Sequence, residues 1–146
     1  MSAASVRLAE TDDDIVRCLP VLRQLRPHLT DSADAVARVR RQAQTGFRLG
    51  FLTAADRVVA VAGFRLRENL AWGRFLYVDD LVTDETQRSN GHGEKLLAWL
   101  IDHAKEMGCD QVHLDSGVQR FDAHRFYLRH RFRITSHHFA MTLREG

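Results

Sequence analysis

The chain has 146 residues, 45% of them hydrophobic and 27% charged, with a formal net charge of +2. That length suits one domain with one sizeable core, and so small a net charge gives no argument for nucleic acid as a partner. No stretch approaches the ~20 apolar residues of a membrane span, and the opening MSAASVRLAETDDD has no apolar core behind a basic start, so neither a membrane partner nor a signal peptide is expected.

In chain order, residues 5–8 (SVRL) predict a short first strand. TDDDIVRCLPVLRQLRP follows: Thr11 or an early Asp caps a helix, Ile15, Leu19, Leu22 and Leu25 recur near helical spacing, and Pro27 ends it. TDSADAVARVRRQAQTG predicts a second capped helix, with Ala35, Val36, Val39 and Ala43 on one stripe and Gly46 as its stop. The period then changes. FRLGFLTA (47–54) and RVVAVAGFRL (57–66) predict two strands joined by a tight turn at Ala55 and Asp56. In the second of these, Val58, Ala60, Ala62, Phe64 and Leu66 alternate onto one face. After the connection ENLAWG, RFLYVDDLVT (74–83) predicts a third long strand, apolar on both faces except for Asp79 and Asp80. GEKLLAWLIDHAKEMG predicts a helix whose Leu96, Leu97, Leu100, Ile101, Ala104 and Met107 form a broad apolar stripe, with Gly108 as its stop. CDQVHLDS predicts a strand, RFDAHRFYLRH a short helix, and FRITSHHFAMTL a final strand pair or bent strand. No repeat or linker interrupts this order, which describes one α/β or α+β domain over residues 1–146 with a mixed sheet. Cys18 and Cys109 form no spaced motif, which fits a reduced, cytoplasmic protein.

Between the third long strand and its helix lies QRSNGHGEKLL. Arg88, Ser89, Asn90, Gly91, His92 and Gly93 spell R-x-x-G-x-G. A helix N-terminus carries unpaired N–H groups and a partial positive charge, so it suits an anion, phosphate above all. Glycine lets the backbone approach such a guest because no Cβ intervenes. A P-loop requires G-x-x-x-x-G-K-[ST], which is absent, and a Rossmann fingerprint requires a third glycine. An ordinary strand-to-helix turn remains the alternative on spacing alone.

The stretch DLVTDETQRSNGHGEKLLAWLIDHAKEMGC resembles the acetyl-CoA-binding motif of the GNAT family of N-acetyltransferases, whose core is [Q/R]-x-x-G-x-[G/A] between a strand and a helix. A second segment, AHRFYLRHRF, is similar to that family's A-x-x-F-Y-x-x-x-G-F: Ala123, Phe126, Tyr127 and Phe132 match. The resemblance covers essentially the whole chain. It implies a single-domain α/β (α+β) GNAT-like fold, with a central mixed, mostly antiparallel sheet flanked by about four helices. It implies acetyl-CoA as acyl donor. The arm of the coenzyme would lie along the strand at Leu81, Val82 and Thr83, and its pyrophosphate on Arg88, Ser89, Asn90, Gly91, His92, Gly93 and Glu94. Ala123 and Phe126 would complete the cofactor site. Two departures stand out. Arg131 occupies the family's glycine, which alters the turn after the helix unless the non-glycine takes the left-handed conformation at some cost. Arg120 stands where relatives often carry an asparagine that contacts the cofactor, and could instead reach a phosphate or a substrate anion.

The chemistry implied is direct attack of an amine on the thioester. An alkylammonium near pKa 10 must first lose its proton, the developing oxyanion needs a donor, commonly a backbone N–H of the cofactor-binding strand, and the departing thiolate needs a proton. Tyr127 matches the family's general acid, expected at the start of the short helix. Asp79 and Asp80 are the base candidates, since two carboxylates in an apolar strand are costly unless solvated, paired or functional. Adjacent strand residues face opposite sides, but a bulge is common in this strand of the family, so parity does not choose between them. The alternative is that these acids pair structural arginines such as Arg65 or Arg74.

The reading is therefore an N-acetyltransferase acting on a primary amine of a small molecule. RFDAHRFYLR further resembles aminoalkylphosphonate N-acetyltransferases, which implies an amine carrying an anion. Acetylation of a protein or peptide, and a catalytically silent acyl-CoA-binding module, are the rival readings. Relatives frequently dimerise, so a homodimer is left open. No H-E-x-x-H or Cys/His grid exists, so no permanent metal is expected.

Overall fold

The computed structural model describes residues 4–88 and 90–144, which fall into two compact units, Met1–Leu114 and Asp115–Gly146. In the larger unit the elements run β1 (Ser5–Leu8), α1 (Asp12–Leu25), α2 (Ser32–Ala43), β2 (Phe47–Ala54), β3 (Arg57–Asn69), β4 (Gly73–Thr83), a 3-10 turn (Glu85–Gln87), α3 (His92–Glu106) and β5 (Gln111–Leu114). The smaller unit contains α4 (Phe121–Arg129). No helix among the described residues is long and apolar enough to cross a membrane.

The five strands form one sheet in chain order, β1-β2-β3-β4-β5. Neighbours are antiparallel up to β4, and β5 returns parallel to β4 after the α3 crossover. Such a crossover is what a parallel neighbour requires. The helix ends follow the chain's chemistry. Thr11 caps α1 in a reciprocal box with Asp14, and Asp31 caps α2. Gly46 and Gly108, at φ +102° and +74°, sit just past α2 and α3, where a left-handed residue ends a helix without a Cβ penalty. Pro20 lies inside α1, where it forfeits one backbone hydrogen bond; burial of Cys18, Leu19, Val21 and Leu22 around it carries the helix through.

The sheet separates two cores. On one face Ile15, Leu19, Leu22 and Ala35 of α1 and α2 meet Phe51 and Val61; on the other Leu96, Leu100 and Ala104 of α3 meet Ala60, Ala62, Phe64 and Leu76. Strand β3 is buried on both faces, so alternation alone misassigns one residue. Val58 packs with α1 and α2 rather than with Ala60 and Ala62, because the register steps from Ala60 opposite Leu52 to Val58 opposite Thr53. The skipped Val59 is a bulge, and a bulge reverses facing from there on. The strand also extends to Asn69, past its expected end at residue 66.

The expected final strand over FRITSHHFAMTL does not form: residues 132–141 carry no ladder, and Ile134, Phe139, Met141 and Leu143 are exposed. A period-2 pattern says which side chains would share a face, but strand structure exists only where backbone groups find a neighbouring strand.

Candidate active site

Strand β4 is interrupted where its two acids lie. Asp80 is opposite Gly63 and Val78 opposite Phe64, so Asp79 is the extra residue of a bulge. Regular pleating would send neighbouring side chains to opposite faces. Here both line one cavity of about 300 Å³, walled by Leu19, Leu22, Leu29, Val39 and Phe47. Gly63 makes room for the Phe47 wall: a Cβ there would lie 2.8 Å from Phe47 Cζ, so only glycine leaves that ring its place. Arg65 stands 5.0 Å above the same ring. Its Nε donates to both oxygens of Asp79, at 2.9 and 3.2 Å, and its Nη2 donates to Gln42 Oε1 at 2.6 Å.

Asp80 is held differently. Arg26, at the C-cap of α1, donates through Nε at 3.0 Å and through Nη2, and both bonds fall on Oδ1. Among the described residues Oδ2 receives none. The pairing of Asp79 with Arg65 is the structural alternative weighed from sequence; Asp80 goes to Arg26 and not to Arg74. Burial pushes the Asp79 carboxyl above its usual value; the hydrogen bond and charge of Arg65 oppose this, and the charge of Asp80 adds to it.

Past this point β4 loses its parallel neighbour. The β4–β5 pairing covers Phe75–Val78 against Gln111–Leu114, while β4 runs on to Thr83. Leu81, Val82 and Thr83 therefore lie on a stretch of strand edge that β5 does not cover. Buried Asp84 fixes the turn that follows. It accepts from Thr86 N–H at 3.1 Å, Thr86 Oγ1 at 3.0 Å, Gln24 Nε2 at 3.3 Å and Arg57 Nη2 at 2.9 Å. The Thr86 backbone bond leads in holding its carboxyl below the usual range.

Arg88 is extended after the turn, and Asn90 Nδ2 reaches Gln87 Oε1 at 3.4 Å. Ser89 lies outside the described residues. Gly91 is the N-cap of α3 at φ +78° and makes no side-chain cap; a Cβ placed there would meet nothing within 4 Å. The first intrahelical bond runs from Lys95 N–H to the Gly91 carbonyl at 3.0 Å, so the amides of His92, Gly93 and Glu94 lie ahead of it with no partner inside the helix. An uncapped helix N-terminus with open space before a left-handed glycine fits an anionic group such as a coenzyme pyrophosphate.

In the smaller unit Arg120 is the N-cap of α4, and Ala123, Phe126 and Tyr127 lie on it. Tyr127 sits on the last turn rather than at the expected start: the helix begins at Phe121, so the motif's A-x-x-F-Y spacing carries the tyrosine toward Arg129. Its ring contacts Phe126 and Phe132, with centroids at 5.4 and 5.8 Å. Burial pushes the phenol up, and the charge of Arg120 opposes this. Arg131 takes the left-handed conformation at φ +73°, and the Phe132 and Arg131 amides close back on the Tyr127 and Leu128 carbonyls. That is a Schellman end with arginine at the glycine position. Among the described residues no group of three His, Cys, Asp or Glu is placed to hold a metal ion; His138 Nδ1 lies 3.4 Å from Asp115 Oδ1.

Sequence reasoning missed Arg26 and Asp84. Nothing local links Arg26 to an acid 54 residues on. Asp84 did carry a signal, an Asp two residues before Thr86 and directly after a strand, which is an Asx turn pattern.

Residues 9–132 match the Acetyltransferase (GNAT) family model. An uncharacterized N-acetyltransferase of Bacillus subtilis, YhdJ, is 37% identical over 111 residues, 74% of this chain and 76% of that protein. An aminoalkylphosphonate N-acetyltransferase of Salmonella typhimurium is 33% identical over 66 residues, 45% of this chain and 43% of that protein. In fold, the chain is similar to aminoglycoside N-acetyltransferase AAC(6')-Iy in complex with the bisubstrate analog CoA-S-monomethyl-acetylneamine: TM-score 0.85, 15% identity, 98% of this chain and 99% of that one.

Proposed function

Because the chain belongs to the GNAT acetyltransferase family, and so is an acetyl-CoA-dependent acyltransferase, we propose that it acetylates a primary amine of a small molecule by direct attack in a ternary complex. The observation that carries this reading is the continuity of β4. One strand leads from two carboxylates lining a cavity, along an edge that β5 leaves uncovered, to the left-handed Gly91 and the open amides of α3.

We take residues 1–146 as one catalytic domain of a cytoplasmic enzyme. Acetyl-CoA supplies the activated acetyl group. The edge at Leu81, Val82 and Thr83 holds its arm, and Arg88, Ser89, Asn90 and the amides from Gly91 to Glu94 hold its pyrophosphate. In the smaller unit, Arg120, Ala123 and Phe126 are the residues that the family motif assigns to the coenzyme. Asp80, with Oδ2 left open, draws in the ammonium of the acceptor. Asp79, whose carboxyl is shifted toward neutrality, takes the proton directly or through water, and a base tuned in that direction is the more effective one. A backbone N–H of the β4 edge faces the oxyanion. As the N–C bond forms and the C–S bond breaks, Tyr127 gives its proton to the sulfur and recovers one from solvent.

The test is calorimetric titration with acetyl-CoA, with NADH as control, followed by thiol release in the presence of amines. Saturable acetyl-CoA binding and amine-dependent release are expected. A folded sample that binds no acetyl-CoA overturns the reading. Binding without release for any small amine, beside release with peptides, replaces the acceptor by a protein N-terminus or lysine.

A further inference from the structure

From the cavity beside the acid pair, and resting on the reading above, we infer that the acceptor is a primary amine on an uncharged, apolar body, an alkyl or arylalkyl amine rather than one bearing phosphate, phosphonate or several hydroxyls. The walls carry the argument. Leu19, Leu22 and Phe47 are buried behind the surface, and Leu29 and Val39 stand partly exposed at the rim. These five side chains offer no hydrogen bond to a sugar hydroxyl, so a polar body laid against them would lose water on that side without replacement; the polar lining is Gln42, whose Oε1 is taken by Arg65, together with the charged groups.

Charge points the same way. The titratable groups lining the cavity are Arg26, His28, Arg38, Asp79 and Asp80. Arg26 is bound to Asp80, Arg38 to Asp34 at 2.8 Å, and Asp79 to Arg65 from behind. Each arginine lining the cavity thus already has a carboxylate partner. The likeness to an aminoalkylphosphonate enzyme, which pointed to an amine carrying an anion, spans 45% of the chain. The cavity is built from residues 19–80 of the larger unit. A cavity of about 300 Å³ is at the small end of ligand pockets. That suits a small acceptor such as phenethylamine or a short alkylamine.

The experiment measures thiol release by the full chain at saturating acetyl-CoA with ethylamine, butylamine, hexylamine and phenethylamine, and with 2-aminoethylphosphonate and glucosamine 6-phosphate. We expect kcat/KM to rise about fourfold per added methylene, and the two anionic amines to fall at least tenfold below hexylamine. Val39→Phe fills the rim and is expected to raise the hexylamine KM about tenfold while leaving the Kd of acetyl-CoA unchanged. If that variant does not fold, the near-isosteric Val39→Thr is expected to flatten the gain per methylene. A flat series, or preference for an anionic amine, overturns the apolar acceptor and leaves the transferase standing. No acetyl-CoA binding, or no release with any amine, overturns both.

Discussion

Asp79 is the one residue of β4 without a partner across the β3 ladder, while Asp80 beside it stays opposite Gly63. This single insertion turns two neighbouring carboxylates toward the same cavity, where their surroundings separate them. Asp79 is bound on both oxygens by one arginine and raised by burial; Asp80 is bound on one oxygen only. Asp79→Asn is expected to lower kcat by about 10²-fold or more and to remove the acidic limb of the pH–rate profile, which in the parent lies above the ordinary carboxyl value of 3.8. Asp80→Asn is expected to act mainly on the KM of the amine. An acidic limb that survives in Asp79→Asn would move the base elsewhere.

The Tyr127 phenol is raised above 10 by burial, so its proton stays in place through neutral pH, as an acid requires. Tyr127→Phe is expected to cut kcat by about 10²- to 10⁴-fold with the Kd of acetyl-CoA unchanged, and to remove any alkaline limb above pH 10. Normal turnover by this variant would assign the ring to packing against Phe126 and Phe132.

These roles were unequally legible in the sequence. R-x-x-G-x-G marked Gly91 as part of either an anion site or an ordinary strand-to-helix turn, and the structure puts it at φ +78° as the N-cap of α3. Arg131 in the family's glycine position left either an altered turn or a left-handed non-glycine, and the structure shows the second. The bulges were only partly legible: the resemblance pointed to one in β4, but nothing in VDDLV says which residue leaves the ladder, and nothing in VVAVAG marks Val59 as skipped. Arg26 on Asp80 depends on where α1 ends over the sheet, a tertiary fact. The failed strand at 132–143 had the right period, and period does not encode a partner.

Gly91→Ala separates strain from crowding at the turn before α3. A Cβ there meets nothing within 4 Å, so the cost is conformational, roughly 1–2 kcal/mol for an L-residue at positive φ. The expected result is a Tm lower by about 2–6 °C and an acetyl-CoA Kd raised about fivefold or more as the α3 amides shift. Gly91→Asn is expected to cost less, because asparagine tolerates that region. An unchanged Kd for both would detach the glycine from the coenzyme.

Arg131→Gly runs the other way. The Schellman end of α4 already has both of its backbone bonds and the Tyr127–Phe132 contact, so glycine changes only the cost of φ +73°. Part of the gain is offset by the greater freedom of glycine in the unfolded chain. A net stabilisation of about 0.5–1 kcal/mol is expected in denaturant titrations, and a loss of stability would mean that the Arg131 side chain makes a contribution of its own.

Asp14 sets the response of the fold to acid. It is buried, takes both Arg7 nitrogens at 2.9 and 3.1 Å, and accepts the Glu10 and Thr11 amides at the start of α1. The Arg7 bond leads in lowering its carboxyl from 3.8 to about 2, against the cost of burial. A depressed carboxyl stabilises the fold fully above its unfolded value and loses that contribution as pH falls through the folded one. The window is thus between pH 3.8 and about 2, and the size is about 1–2 kcal/mol. Asp14→Asn keeps an oxygen for the amides but has no charge for Arg7. The parent is therefore expected to exceed this variant in stability near pH 6 by about that amount, and to converge with it below about pH 2. A gap that persists at low pH would mean that geometry, rather than charge, is what Asp14 contributes.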